Sequence, residues 1–244
     1  NTTGQRNVAV GIESLKTNVS GGCNVAVGRI SLQDNTTGAN NVAIGASASQ
    51  SNTTGGENTA LGKSTLTSNT TGCKNVAIGS GALLSNSTAN DNIAIGFQSL
   101  EQNTTGTSNV AVGCGALESN TTASDNVAMG KRALGGTTTG CRNTAVGRTA
   151  MNSNSTGDTN TAIGYSALYA NTTADNNTAV GSQALEANTT ASNNTAVGRN
   201  SLSATITGAE NTAVGSGALD VNTASFNTAM GVDAGGANTS GTGN

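Results

Sequence analysis

A five-residue phrase, Asn-Val-Ala-Val-Gly, returns along this chain at a fixed interval of 17 residues. It stands at 7–11, again at 24–28, and as Asn-Val-Ala-Ile-Gly at 41–45. Its opening Asn recurs at 7, 24, 41, 58, 75, 92, 109, 126, 143, 160, 177, 194 and 211, with a fourteenth copy one residue early at 227. Self-similarity at a short fixed period marks a solenoid, in which each repeat is one structural unit stacked on the last. Residues 1–244 therefore read as a single repeat array. It opens at the twelfth column of the repeat and stops at the first, so it reads as a piece of a longer array or a unit made to be continued.

Counting the Asn as column one, column three is Ala and column five is Gly in all fourteen copies. Column four is always aliphatic or Met: Val10, Val27, Ile44, Leu61, Ile78, Ile95, Val112, Met129, Val146, Ile163, Val180, Val197, Val214 and Met230. Columns two to four alternate with period two, which predicts a short strand with columns two and four on one face and column three on the other. Column nine is the second apolar line, with Leu15, Leu32, Leu83, Leu117 and Leu185 among its eleven Leu residues; Ser49 and Gly235 break it. A second strand is expected over columns seven to ten. A third extended segment is expected over the Asn-Thr-Thr of columns twelve to fourteen, where β-branched residues suit a pleated surface.

A helix does not fit, because Gly, Asn and Thr are poor helix formers and 17 residues do not rephase a 3.6-residue stripe. Disorder suits so polar a composition, but it does not require an aliphatic side chain at one phase fourteen times. The fold class expected is all-β: a parallel β-solenoid of 17 residues per turn and about 14 turns. At about 4.8 Å per turn this predicts a rod of roughly 65–70 Å. Columns four and nine should then form two buried aliphatic ladders. Asn7, Asn24, Asn41, Asn58, Asn75, Asn92 and Asn109 should stack as an amide ladder that also satisfies the corner backbone. Gly in column five should be a corner that needs positive φ or close backbone approach.

The repeated pattern Asn-(Val/Thr)-Ala-(Val/Ile)-Gly-x-x-(Ala/Ser) resembles the head repeats of trimeric autotransporter adhesins. It is also similar to the repeat shafts of phage tail fibres and of secreted proteins that carry an endosialidase-type chaperone. The resemblance covers essentially the whole chain. It implies a left-handed β-roll, three chains side by side, and a place outside the cell or on a cell or virion surface. Two departures are plain: the 17-residue turn is longer than is typical there, and the Asn-Thr-Thr-Gly segment is extra.

Chemistry is sparse. With no His there is no imidazole base, and the carboxylates occupy variable columns without forming a repeated pair. No enzyme activity, cofactor or metal is expected. A net charge of -3 offers no basic field for nucleic acid, and no apolar run approaches the ~18 residues of a membrane span. Cys73 and Cys141 lie four turns apart, about 19 Å at strand spacing. No two of the four Cys, with Cys23 and Cys114, reach the Cα separation of about 7 Å that a disulfide needs, so free thiols or interchain bridges are expected.

Column twelve supplies Asn-x-Ser/Thr sequons at Asn18, Asn35, Asn52, Asn69, Asn86, Asn103, Asn120, Asn154, Asn171, Asn188 and Asn238, with Asn1 at the start, and Asn176 and Asn193 add two outside it. These are glycosylation acceptors facing solvent, or the by-product of a chain rich in Asn and Thr. The function expected is a structural extracellular fibre: a rod-like shaft or filament subunit whose partner is itself, end to end or as a homotrimer. The alternatives are a trimeric adhesin head or tail-fibre module that binds glycan or matrix, for which Tyr165, Tyr169 and Phe97 are the candidate aromatics, and an ice-binding solenoid using Thr rows.

Overall fold

The computed structural model describes residues 1–236 and 238–243. Among them the structure is all-β, with fourteen three-residue strands and no helix. The chain divides into two compact units, Asn1–Ser124 and Asp125–Asn244. The first holds β1 (Val8–Val10), β2 (Val25–Val27), β3 (Val42–Ile44), β4 (Thr59–Leu61), β5 (Val76–Ile78), β6 (Ile93–Ile95) and β7 (Val110–Val112). The second holds β8 (Val127–Met129), β9 (Thr144–Val146), β10 (Thr161–Ile163), β11 (Thr178–Val180), β12 (Thr195–Val197), β13 (Thr212–Val214) and β14 (Thr228–Met230).

Within each unit the strands are parallel and follow chain order. Val42 lies beside Thr59, Ala43 beside Ala60, and Ile44 beside Leu61. The same register holds in the second unit, where Ala162 lies beside Ala179. Each unit is therefore a parallel β-solenoid with one repeat per turn. The step from β13 to β14 keeps this register although its repeat is one residue short. The missing residue is the second Thr of Asn-Thr-Thr. Asn222 still donates from Nδ2 to the Ala224 carbonyl (2.7 Å), so the deletion is absorbed in a column that elsewhere faces solvent.

The core is narrower than the sequence suggests. Column three fills it: Ala26, Ala43, Ala60, Ala77 and their successors to Ala213 are wholly buried. The column-nine Leu side chains meet them from the opposite wall, with Leu32, Leu83, Leu117 and Leu185 at 0% exposure and Leu15 at 5%. Column four does not belong to this core. Val10, Ile44, Ile78, Ile95, Met129, Ile163 and Val197 are exposed, and Val27, Leu61, Val112, Val146, Val180 and Val214 are half-exposed. The expected buried aliphatic ladder of column four is thus corrected to an outward one. The reason is steric: column three faces the Leu wall across a gap that takes only a methyl group, and strand alternation then turns columns two and four outward.

Columns seven to ten do not form the expected second strand. Columns seven and nine take positive φ in turn after turn, as at Glu13 (57°) and Leu15 (51°), or Gln98 (54°) and Leu100 (50°). That conformation costs an L-residue roughly 1–2 kcal/mol. Burial of the Leu side chain, which contributes about 1.5–3 kcal/mol, offsets it at column nine. Turn-to-turn hydrogen bonds continue through this bend. Ile30 N–H donates back to Ile12 (2.8 Å), and Leu32 N–H donates forward to Ala48 (3.0 Å).

Columns twelve to fourteen are also a bend, not a third strand. Here one carbonyl accepts three successive N–H groups from the turn before it. Thr53 O receives Thr36 N (2.9 Å), Thr37 N (3.1 Å) and Gly38 N (3.4 Å), with Thr36 Oγ1 as a fourth donor (2.9 Å). The corner at column five needs glycine twice over. Gly28 has φ of 133°, and a Cβ there would stand 2.5 Å from the Gly45 carbonyl oxygen.

Candidate functional site

Two features recur in both units and have a chemistry of their own: a pair of internal amide ladders, and an outward aliphatic face.

Column one closes the turn. Asn24 Nδ2 donates across its own turn to the Gly38 carbonyl (2.9 Å), while Asn24 Oδ1 accepts the backbone N–H of Asn41 one turn on (2.9 Å). The same pair of bonds repeats through Asn41, Asn58, Asn75 and Asn92 in the first unit. Asn7, the half-buried first member, donates to Gly21 O and accepts from Asn24 N; Asn109 donates to Ala123 O. The amides therefore satisfy the corner backbone.

Column one links amide to amide at only some turns, as from Asn75 Nδ2 to Asn58 Oδ1 (3.1 Å). The longer amide-to-amide runs are in column twelve, where the sequence suggests sugar acceptors, and they break at Thr137 and Thr205. Asn35 Nδ2 donates to Asn18 Oδ1 of the previous turn (2.8 Å) and to Gly38 O of its own (3.0 Å). Asn52, Asn69, Asn86, Asn103 and Asn120 repeat this in the first unit, and Asn171 and Asn188 in the second. Where column twelve holds Asn, the column-fifteen carbonyl so receives two amides, one from column one and one from column twelve. Asn18, Asn35, Asn52, Asn69, Asn86, Asn103, Asn120, Asn154, Asn171 and Asn188 are all between 0% and 2% exposed. The solvent-facing glycan acceptors are corrected to buried ladder residues: the nitrogen a sugar would occupy is inside and already donating. Of the sequons outside this column, Asn176 and Asn193 are exposed. The clue available in sequence was the fixed column itself, since composition alone does not hold Asn in one phase.

Where the ladder is interrupted, the cost is visible. Thr205 stands in column twelve and spends its hydroxyl on the Asn222 carbonyl (2.8 Å). Asn188, one turn earlier, is left with a buried Oδ1 that has no partner among the described residues. An unpaired buried acceptor costs about 1–3 kcal/mol.

The outward face is made of columns two and four of every strand. In the first unit it carries Val8 (48% exposed), Val10 (56%), Ile93 and Ile95 (37% each). In the second it carries Met129 (43%) and Ile163 (41%). No charged residue interrupts either row within the strands. At on the order of 50 Å² per half-exposed side chain, the seven strands of the first unit bare roughly 700 Å², more than the few hundred that an isolated monomer ordinarily shows.

Charge lies elsewhere and is dilute. Lys16 Nζ pairs with Glu13 Oε1 (2.8 Å), and its hydrogen bond and charge hold the exposed Glu13 carboxyl below its ordinary pKa. Arg142 reaches Asp158 (3.4 Å). Cys23 and Cys114 are exposed, Cys73 and Cys141 half-exposed, and none of the four is joined in a disulfide among the described residues. Among the described residues no three His, Cys, Asp or Glu side chains converge as metal ligands would. Phe97 stands exposed on its own turn, whereas Tyr165 and Tyr169 line one shallow cavity in the second unit. The chain matches no family model, no curated protein and no solved structure.

Proposed function

We propose that this chain is a structural fibre protein that works outside the cell or on a virion surface, as a subunit that binds further copies of itself. The bare strand face is the observation that carries this reading. An aliphatic row repeated without charge along each unit is costly to leave in water, at about 25 cal/mol per Å². Its estimated extent in one unit is close to the roughly 800 Å² per partner of a stable interface. Side-by-side packing of like copies covers such a face with an equal one. The buried amide ladders suit a part whose work is to stay stiff, because every turn is tied to its neighbours by side chain as well as backbone. The resemblance of the repeat to adhesin heads and fibre shafts supports the extracellular setting. Catalysis has no place in this reading: the chain lacks His and scatters its carboxylates over variable columns.

Mass photometry and sedimentation at rising concentration test it, on the full chain and on the triple variant Ile44→Lys, Ile78→Lys, Ile95→Lys. The wild type should associate into dimers or trimers. The variant should remain monomeric with an unchanged β-type circular dichroism spectrum, since all three side chains point outward. A wild type that stays monomeric throughout overturns the reading. Undiminished association of the variant would move the contact off this face and favour end-to-end stacking.

A further inference from the structure

We propose that one turn of the second unit carries a carbohydrate subsite, with Tyr165 and Tyr169 as its stacking surface and a neutral hexopyranose as its ligand. This inference is independent of self-association and goes beyond the fibre reading. It starts from where the repeat is allowed to vary. Columns six and ten differ from turn to turn, and they flank a column-nine Leu fixed in the core. Here that residue is Leu168, wholly buried, with positive φ at Ser166 (51°) and Leu168 (53°). The chain has two tyrosines in all, and they occupy columns six and ten of this same turn. Both are exposed, Tyr165 at 51% and Tyr169 at 38%, and both line a shallow cavity of about 260 Å³.

The neighbouring turns supply the polar edge. Arg148, one turn before, sets its guanidinium 6.0 Å from the centre of the Tyr165 ring. It makes no ion pair among the described residues. Glu186, one turn after, lines the same cavity, its carboxylate steadied by Gln183 Nε2 (2.9 Å). Between them Thr149 Oγ1 and Ser166 Oγ lie 3.1 Å apart, and Thr149 Oγ1 donates to the Arg148 carbonyl (2.7 Å). An aromatic floor therefore meets a guanidinium without an ion pair, a carboxylate held by Gln183, and two hydroxyls.

That combination selects a ligand with one apolar face and a rim of hydroxyls. A pyranose ring has both: C–H groups on its face lie on an aromatic surface, and adjacent hydroxyls bridge an Arg fork and a carboxylate. The opposed charges of Arg148 and Glu186 disfavour a phosphate or a polyanion. The volume lies just below the 300–1,000 Å³ of drug-sized ligand sites and suits one sugar ring. So open a site should bind a single ring weakly, with a Kd on the order of 1 mM, and gain from multivalent display.

The chain offers its own reporter. It has no Trp, so tyrosine fluorescence comes from this site alone. Titration of the full chain with maltotriose, cellotriose, N,N′,N″-triacetylchitotriose and β-1,4-galactotriose should give a saturable change with at least one of them. Saturation-transfer NMR on that sugar should then show at least a tenfold loss of affinity in Arg148→Ala and Tyr165→Ala, and a smaller loss in Glu186→Gln. Thermal unfolding of the variants should match the wild type, because these side chains lie on the surface. No saturable response to any of the four sugars up to tens of millimolar overturns the proposal. So does binding that survives both Arg148→Ala and Tyr165→Ala.

Discussion

The two units share an interior and differ on their outward strand face. Column three is buried Ala and column nine is buried Leu or Met almost throughout both. Column four stays aliphatic or Met in both. Column two changes over: the first unit has Val8, Val25, Val42, Thr59, Val76, Ile93 and Val110, and the second has Val127 followed by Thr144, Thr161, Thr178, Thr195, Thr212 and Thr228. Val and Thr are nearly the same shape, so the backbone is indifferent to the exchange, and the register is the same in both units. The lesson is that the interior of a turn is set by fit, which both units must meet alike. The outside is set by what it touches. The first unit bares two aliphatic rows broken only at Thr59, and the second bares one beside a row of hydroxyls.

Perturbing matched positions tests this contrast. The largest effect should come from the shared interior: Leu100→Ala in the first unit and Leu185→Ala in the second should each cost about 2–5 kcal/mol. Both costs, read by denaturant unfolding of each variant, should agree closely. A large disagreement would mean that the interiors differ after all. Next comes the outer face. The pair Val76→Thr and Val110→Thr should weaken self-association, and Thr161→Val with Thr178→Val should strengthen it, each with a stability change within about 0.5 kcal/mol. Sedimentation equilibrium decides the sign, and equal effects from both pairs would remove the distinction between the units.

A smaller and opposite effect is expected at the interrupted ladder of the second unit. Thr205→Asn should restore the missing rung, give Asn188 Oδ1 a donor and stabilise the unit by about 0.5–1.5 kcal/mol, visible as a raised unfolding midpoint. The smallest is at Glu13. Because its carboxyl is held below the ordinary value, Lys16 stabilises it fully only above the unfolded pKa, and the benefit is lost as pH falls through the folded one. Lys16→Met should raise the NMR titration midpoint of Glu13 with no measurable change in global stability, as befits an exposed pair.

Much of this architecture was legible in the sequence. The interval fixes one turn per repeat, period-two chemistry marks columns two to four as the strand, and an invariant Gly marks the corner. Hydrophobicity points to the wrong strand face, to Val10 and Ile44, while the buried residues are Ala26 and Ala43. The better signal was size: column three never exceeds a methyl group, whereas column four accepts Val, Ile, Leu and Met alike. The bend at columns seven to ten was illegible for another reason. Leu at positive φ, as at Leu66 (51°), contradicts local preference, and only stacking against identical turns sustains it. Tyr165 and Tyr169 look scattered in sequence. They become one feature when the bend between columns six and ten sets both on the rim of one cavity.

The buried column-twelve amides have a consequence for how the chain can be made. An oligosaccharyltransferase recognises Asn-x-Ser/Thr in extended polypeptide, before any turn has closed, and it transfers sugar to the Nδ2 that later has to donate inward. Routed through a eukaryotic secretory pathway, each modified Asn35 or Asn103 would carry a bulky group on an atom with no room for it, so modification and closure of that turn exclude one another. The same polypeptide produced in a bacterial cytoplasm meets no such competitor. Choice of expression host alone should therefore separate closed turns from trapped, sugar-bearing chains.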